Sequence, residues 1–255
     1  MKYSIQITLL LLAILVAGCF SPGLDGEMHK AVISGSLADV QSLVGGGADV
    51  NATGAYGCTP LYYAALYGDS YIVTYLLGKG ADPKKGASWR GGDTPLHVAA
   101  QCGYVDCVQV LLSNGVPVDL RNNYGETALH LAARRRNTDV VRLLLSNGAD
   151  ANATDKRGGT PLEYPSGFVD NRQLNYQETV EILIEHGADV RHIDRNGEAA
   201  IHEAVFLGNV KVVEILLQHG AIPNVSGTRG TPLAWAQSRG YKDIVLLLQK
   251  NGAKQ

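Results

Sequence analysis

The sequence predicts an all-α solenoid of about seven helix-turn-helix units with protruding turns. Three observations predict it. First, the stretch from Gly125 to Arg157 holds two short helical patterns, an Asn-Gly terminator and a polar turn, and neither helix is long enough to be stable alone. Second, the glycine that closes the second helix recurs at Gly47, Gly80, Gly115, Gly148, Gly187, Gly220 and Gly252, in steps of 33, 35, 33, 39, 33 and 32 residues. Third, the threonine of a Thr-Pro-Leu triplet recurs at Thr59, Thr94, Thr127 (with Ala128 in the proline place), Thr160 and Thr231. A unit that cannot bury its own apolar faces has to stack on copies of itself.

Residues 1–18 stand apart from this array. Lys2 opens a mostly apolar run from Ile5 to Val16, small Ala17 and Gly18 follow, and then comes Cys19. That is the layout of an export signal, and it is short of the roughly 20 residues a membrane span needs. The stretch Val16-Ala17-Gly18-Cys19 resembles the bacterial lipoprotein box. The resemblance implies cleavage before Cys19 and lipid on that residue, with 19–25 as a short tether. A plain secretory signal with an incidental cysteine is the alternative. By resemblance to the lipoprotein sorting rule of enteric bacteria, in which Asp at this place favours inner-membrane retention, Phe20 implies delivery to the outer membrane. About 237 residues would remain.

The first unit, 26–56, is degenerate, with Gly26, Glu27 and Met28 where Thr, Pro and Leu would stand; its polar residues suit a terminal cap with one wetted face. The second, 57–91, reads C-T-P-L-Y-Y-A-A and places Tyr63 and Tyr67 near the face of the first helices. Its long outgoing loop carries Lys84, Lys85, Trp89 and Arg90, and an exposed Trp among cations is a contact candidate. The third, 92–124, reads T-P-L-H-V-A-A. The fourth, 125–157, ends its first helix in Arg134, Arg135 and Arg136, which suit a helix C-terminus or an acidic partner. The fifth, 158–196, meets Pro165, which should stop its first helix, and gains an insertion at 166–176. That insertion, containing Phe168, Leu174 and Tyr176, either covers the shortened helix or touches a partner. The sixth, 197–229, reads G-E-A-A-I-H-E-A-V, and the seventh, 230–253, reads G-T-P-L-A-W-A and ends in an apolar helix around Leu246.

With T-P-L-H at Thr94 to His97, T-A-L-H at Thr127 to His130 and G-A-D at Gly47, Gly80, Gly148 and Gly187, the chain resembles the ankyrin-repeat family. The resemblance covers about nine tenths of the sequence, from roughly Gly26 to Ala253. It implies an array that binds other proteins and is rarely catalytic. It also implies that His97, His130 and His202 bond to the turn backbone.

The residues themselves fit that use. Thr caps a helix and Pro suits its first turn, while the closing Gly takes positive φ at little cost. The formal net charge of −2, or −3 without Lys2, gives no reason to expect nucleic acid. Cys58, Cys102 and Cys107 remain after Cys19 and lack the paired spacing of a zinc site. A Cys102–Cys107 bridge and two small buried thiols are both open, and Cys58 is expected in an exposed turn. No nucleophile, base and orienter stand at a recognisable spacing, and no Gly-rich phosphate loop occurs. No enzyme activity, metal or cofactor is expected.

The variable positions expected to contact a protein partner are Tyr63, Tyr67, Trp89, Arg134, Arg135, Phe206, Trp235 and Arg239. The expected function is a monomeric, non-enzymatic protein-binding scaffold, lipid-anchored through Cys19 and facing the periplasm. A secreted effector that binds host proteins, and an enzyme or small-ligand binder using 166–176, are the alternatives.

Overall fold

A computed structural model describes residues 23–88, 91–163 and 173–254. Its elements are α1 (Leu24–Ile33), α2 (Leu37–Gly45), α3 (Pro60–Tyr67), α4 (Ser70–Gly78), α5 (Pro95–Cys102), α6 (Val105–Ser113), α7 (Ala128–Arg135), α8 (Thr138–Ser146), a 3-10 turn at Pro161–Glu163, α9 (Gln173–Glu185), α10 (Ala200–Phe206), α11 (Val210–Gln218), α12 (Pro232–Arg239) and α13 (Lys242–Lys250). A further 3-10 turn lies at Ala55–Gly57, and the β pairing among the described residues is confined to two isolated bridges, Ala87 with Asp93 and Gly227 with Gly230. No described helix is long and apolar enough to cross a membrane.

The chain divides after Pro117 into two compact units. In the first, α1, α3 and α5 stack as one layer, and α2, α4 and α6 pack behind them as a second. In the second unit α7, the 3-10 turn, α10 and α12 form the first layer, and α8, α9, α11 and α13 the other. Leu61, Ile72, Leu76, Leu96, Leu111, Leu129, Leu144 and Leu216 are buried between helices. Alanines at 64, 65, 99, 100 and 132 are buried where helices approach most closely.

The helix starts follow from their caps. The Thr59 hydroxyl accepts from the Tyr62 N–H at 3.2 Å, and that of Thr231 from the Ala234 N–H at 3.2 Å, each satisfying a donor that lacks an intrahelical partner. The protruding turns repeat one design. Asn122, Asp155 and Asp194 each accept with one side-chain oxygen from two backbone N–H groups, those of Tyr124 and Glu126, Arg157 and Gly159, and Asn196 and Glu198, at 2.7–3.0 Å. Such a short acceptor folds the turn locally.

Neighbouring turns then join backbone to backbone. The N–H groups of Lys156, Arg195 and Thr228 donate to the carbonyls of Tyr124, Arg157 and Asn196. On the other side, asparagines carry the period. The side chain of Asn51 bridges the Gly80 carbonyl and the Asp82 N–H, and Asn152 does the same for Gly187 and Asp189. Asn224 repeats it with Gly252 and Lys254. At Gly80 and Gly187 the G-A-D motif is therefore the receiving end of an asparagine clamp from the preceding repeat, while at Gly47 and Gly148 the Asp N–H donates to an aspartate, Asp25 or Asp119.

The turn tips are closely packed. Gly197 has φ +77, and a Cβ there would lie 2.7 Å from the Ser226 carbonyl oxygen and 3.0 Å from Gly227 Cα. Gly197→Ala is expected to destabilise the second unit by about 2–4 kcal/mol, from the left-handed backbone and the backbone clash together. Urea unfolding followed by helical circular dichroism measures it.

Several sequence expectations change here. The insertion expected as a loop over 166–176 is helical from Gln173 onward, because α9 begins there and runs without a break into the second helix of the repeat. Tyr176 is buried, with the Arg136 guanidinium 5.2 Å from its ring centroid. Pro165, Phe168 and the rest of 164–172 lie outside the described residues, as do residues 1–22 with Cys19, and Trp89 and Arg90. Cys58 is buried, not exposed, at a turn that the first repeat covers: His29 Nε2 lies 3.2 Å from the Cys58 backbone carbonyl. Cys107 is buried and Cys102 half-buried, and all three described cysteines stand as thiols. Burial pushes the Cys107 thiol up to about 12. On α13, Leu246 is left 65% exposed.

Candidate functional site

The expected contact residues separate into buried and surface groups. Tyr63 is only 2% exposed and does not belong to a contact surface. Its ring meets His29 edge-on at 5.7 Å and Tyr62 at 6.1 Å, and burial, aided by Cys58, raises its hydroxyl pKa well above the usual value. One helical turn on, at the end of α3, Tyr67 is half-buried, its hydroxyl pKa also raised by burial. The arginine triplet is split three ways. Arg134 is half-buried and ion-paired with buried Glu126. Arg135 is exposed. Arg136 is buried at φ +57, the left-handed C-cap position that Gly68, Gly103 and Gly240 fill elsewhere, and its guanidinium covers Tyr176. The triplet is therefore not one basic patch, because successive residues at a helix end point in different directions.

Phe206, Trp235 and Arg239 are brought together. Phe206 ends α10; Trp235 and Arg239 stand one turn apart on α12, on one face. The Phe206 and Trp235 ring centroids lie 5.2 Å apart at 59°. The Arg239 guanidinium lies 5.0 Å from the Phe206 centroid and 5.6 Å from that of Trp235. Arg229, which the sequence did not single out, lies 5.2 Å from the Trp235 centroid. Its carbonyl accepts from the Trp235 indole N–H at 2.6 Å. Phe206 and Trp235 are half-buried and Arg239 is exposed. Cations over aromatic faces contribute roughly 0.5–1 kcal/mol each at exposed sites, enough to favour this arrangement. Arg229 was legible in principle, six residues before Trp235 in a turn tip, but only the turn's fold carries it back over the indole.

Arg229 also links this cluster to a cavity of about 240 Å³ lined by Arg157, Glu163, Asp194, Glu198, His202 and Glu203, among others. Glu198 accepts from Arg229 at 3.3 Å and from the Thr228 hydroxyl at 3.2 Å. Glu163 stands in the fourth place of Thr160-Pro161-Leu162, where other repeats carry His. It accepts from the Thr160 hydroxyl at 3.2 Å. Burial, reinforced by the Asp194 carboxylate, pushes its pKa up to about 8.

The histidines of the motif are structural. The Thr94, Thr127 and Ala199 N–H groups donate to Nδ1 of His97, His130 and His202 at 3.3, 3.1 and 3.0 Å. Nε2 of His130 and His202 lies 3.2 Å from the Gly159 and Gly230 carbonyls of the next repeat. His29 makes the same link to Cys58, so the degenerate first unit keeps the framework ring. Among the described residues no His, Cys, Asp and Glu group is placed to hold a metal.

A family model described as ankyrin repeats in three copies matches residues 27–87, 84–155, 115–194 and 170–255. The chain is 33% identical to an L-asparaginase of Dirofilaria immitis over 191 residues, 74% of this chain and 31% of that protein. It is 33% identical to the B-cell lymphoma 3 protein homolog of Mus musculus over 231 residues, 87% of this chain and 50% of that one. It is 39% identical to the potassium channel AKT1 of Arabidopsis thaliana over 232 residues, 88% of this chain and 24% of the channel. The chain thus spans half or less of each of these relatives, whose names describe proteins of different kinds.

Proposed function

We propose, from the premise that this chain belongs to the ankyrin-repeat family, that it is a non-enzymatic scaffold which binds another protein while held at a bacterial envelope membrane by lipid on Cys19, facing the periplasm. The observation that carries the binding half is the surface cluster of Phe206, Trp235, Arg229 and Arg239. Trp and Arg are enriched among the residues that carry the binding energy of protein interfaces, and here they are already in contact with one another.

The anchoring half rests on the order of residues at the amino terminus. An apolar run ends in small Ala17 and Gly18 directly before Cys19, and buried acyl chains hold a protein at a bilayer at roughly 0.8 kcal/mol per CH₂. Phe20 favours the outer membrane over the inner.

Mass spectrometry of the mature amino terminus tests the anchor: a diacylated or triacylated Cys19 is expected. An unmodified chain beginning at Met1 would leave a cytosolic binder, and an unlipidated product in the medium a secreted effector. For binding, the full chain at micromolar concentration is expected to retain a protein from an envelope fraction. Trp235→Ala should weaken that complex by about 2 kcal/mol, roughly thirtyfold. Retention of nothing, or equal retention by the variant, would count against the reading.

A further inference from the structure

We infer that Arg239, held over Phe206 and Trp235, is the receptor for a single carboxylate of the partner protein, an Asp or Glu side chain lying beside an apolar residue. This rests on the protein-binding reading and adds the chemistry of what is bound.

A guanidinium carries five N–H donors in a planar fork that matches a carboxylate. The two rings hold the Arg239 group from one side, 5.0 and 5.6 Å from their centroids, and such contacts consume none of its donors. Among the described residues no carboxylate is paired with Arg239, whereas its neighbour Arg229 is already engaged by Glu198 at 3.3 Å. Of the two guanidiniums in this cluster, it is therefore Arg239 whose fork has no carboxylate on it among the described residues. The ring contacts favour this position before binding, which lowers the ordering entropy of an interface contact.

The surroundings select among anions. The adjacent cavity, reached through Arg229, carries Asp194, Glu198 and Glu203. Beside Arg157 and Arg229 in the same lining, these acidic groups oppose a dianion such as a phosphate more strongly than a monoanion. The half-buried rings of Phe206 and Trp235 leave apolar surface beside the fork, which suits a Leu, Ile or aromatic neighbour of the bound acid.

The test uses the full chain and a randomised peptide library displayed on phage. The strongest enriched peptide is synthesised as selected, with its acidic residue changed to the amide, and with phosphoserine in its place. Each form is titrated against the wild type, Arg239→Lys and Arg239→Gln, with helical circular dichroism confirming that the variants fold. Peptides with an acid beside an apolar residue are expected to be enriched. The amide should bind the wild type about tenfold more weakly. Arg239→Lys, which keeps the charge and loses the fork, should weaken the acid form about tenfold and leave the amide form unchanged. An amide that binds as well as the acid, an acid form indifferent to Arg239→Gln, or a preference for phosphoserine would each overturn the inference while leaving the scaffold reading intact. Enrichment of no peptide at all would overturn both.

Discussion

His130→Ala is expected to destabilise the second unit by about 3–5 kcal/mol. The ring is fully buried, so its removal leaves a cavity, which in well-packed cores is strongly destabilising. It also strips partners from buried groups on two repeats: the Thr127 N–H at 3.1 Å, the Thr127 hydroxyl at 2.9 Å and the Gly159 carbonyl at 3.2 Å. Each buried polar group left without a partner costs about 1–3 kcal/mol. Urea unfolding gives the total. Amide exchange should show the loss concentrated in α7 and in the turn before Thr160, since repeat arrays loosen locally. A change below about 1 kcal/mol would mean that the ring does not join the two repeats.

The same residue carries a pH dependence. Burial lowers the His130 pKa from 6.5 to about 4. The unfolded chain takes up a proton near 6.5 and the folded chain near 4. Stability from this group is therefore present above about pH 6.5 and is lost as pH falls toward 4, by about 3 kcal/mol in all.

Glu163→Gln is expected to stabilise the protein at neutral and higher pH, by on the order of 3 kcal/mol at pH 7. The folded carboxyl holds its proton up to about pH 8, against 4.5 for the ordinary group. Between those values the unfolded chain has released a proton that the folded chain retains, so stability falls as pH rises from 4.5 to 8. Glutamine is neutral throughout and removes that slope. The measurement is the stability difference between variant and wild type at pH 4.5 and at pH 7. A difference that does not grow with pH would show that Glu163 ionises in the folded state as it does in water. The slopes of Glu163 and His130 oppose each other, and together they favour a stability maximum in the mildly acidic range.

These two residues also show how far the sequence could be read. His130 lies in T-A-L-H, a variant of the T-P-L-H at Thr94 to His97, and its contacts are local or in the next repeat, so the recurring motif and the family resemblance it carries assigned it to the framework. Glu163 lies in the same place of a T-P-L motif, yet nothing in the motif says that a carboxyl there will be buried. That depends on how Asp194 and the elements around it close over the 3-10 turn. His29 hid for a related reason: its triplet is degenerate, and only its link to the Cys58 carbonyl reveals the framework role.

The surface was less legible than the framework. Tyr63 and Tyr67 are four residues apart in the sequence and look alike, but the first helices are short and closely flanked, and only the last turn reaches the surface. The three arginines at 134–136 look like one patch, but consecutive helical positions are about 100° apart and the last one turns back into the left-handed region. Phe206, Trp235 and Arg239 were legible as variable positions on inner helices. Their meeting, and the arrival of Arg229 above the indole, required the stacking of α10 on α12.

By itself the sequence determined the helix-turn-helix unit, its period and the residues that cap and close each helix. Those properties are local: a Thr caps the helix beside it, a Gly takes the conformation at its own position, and the apolar spacing defines a helix face. Only the tertiary structure decided which of the remaining side chains are buried and which meet. Burial and long-range contact depend on what a neighbouring repeat places opposite, and that is not written at the position itself.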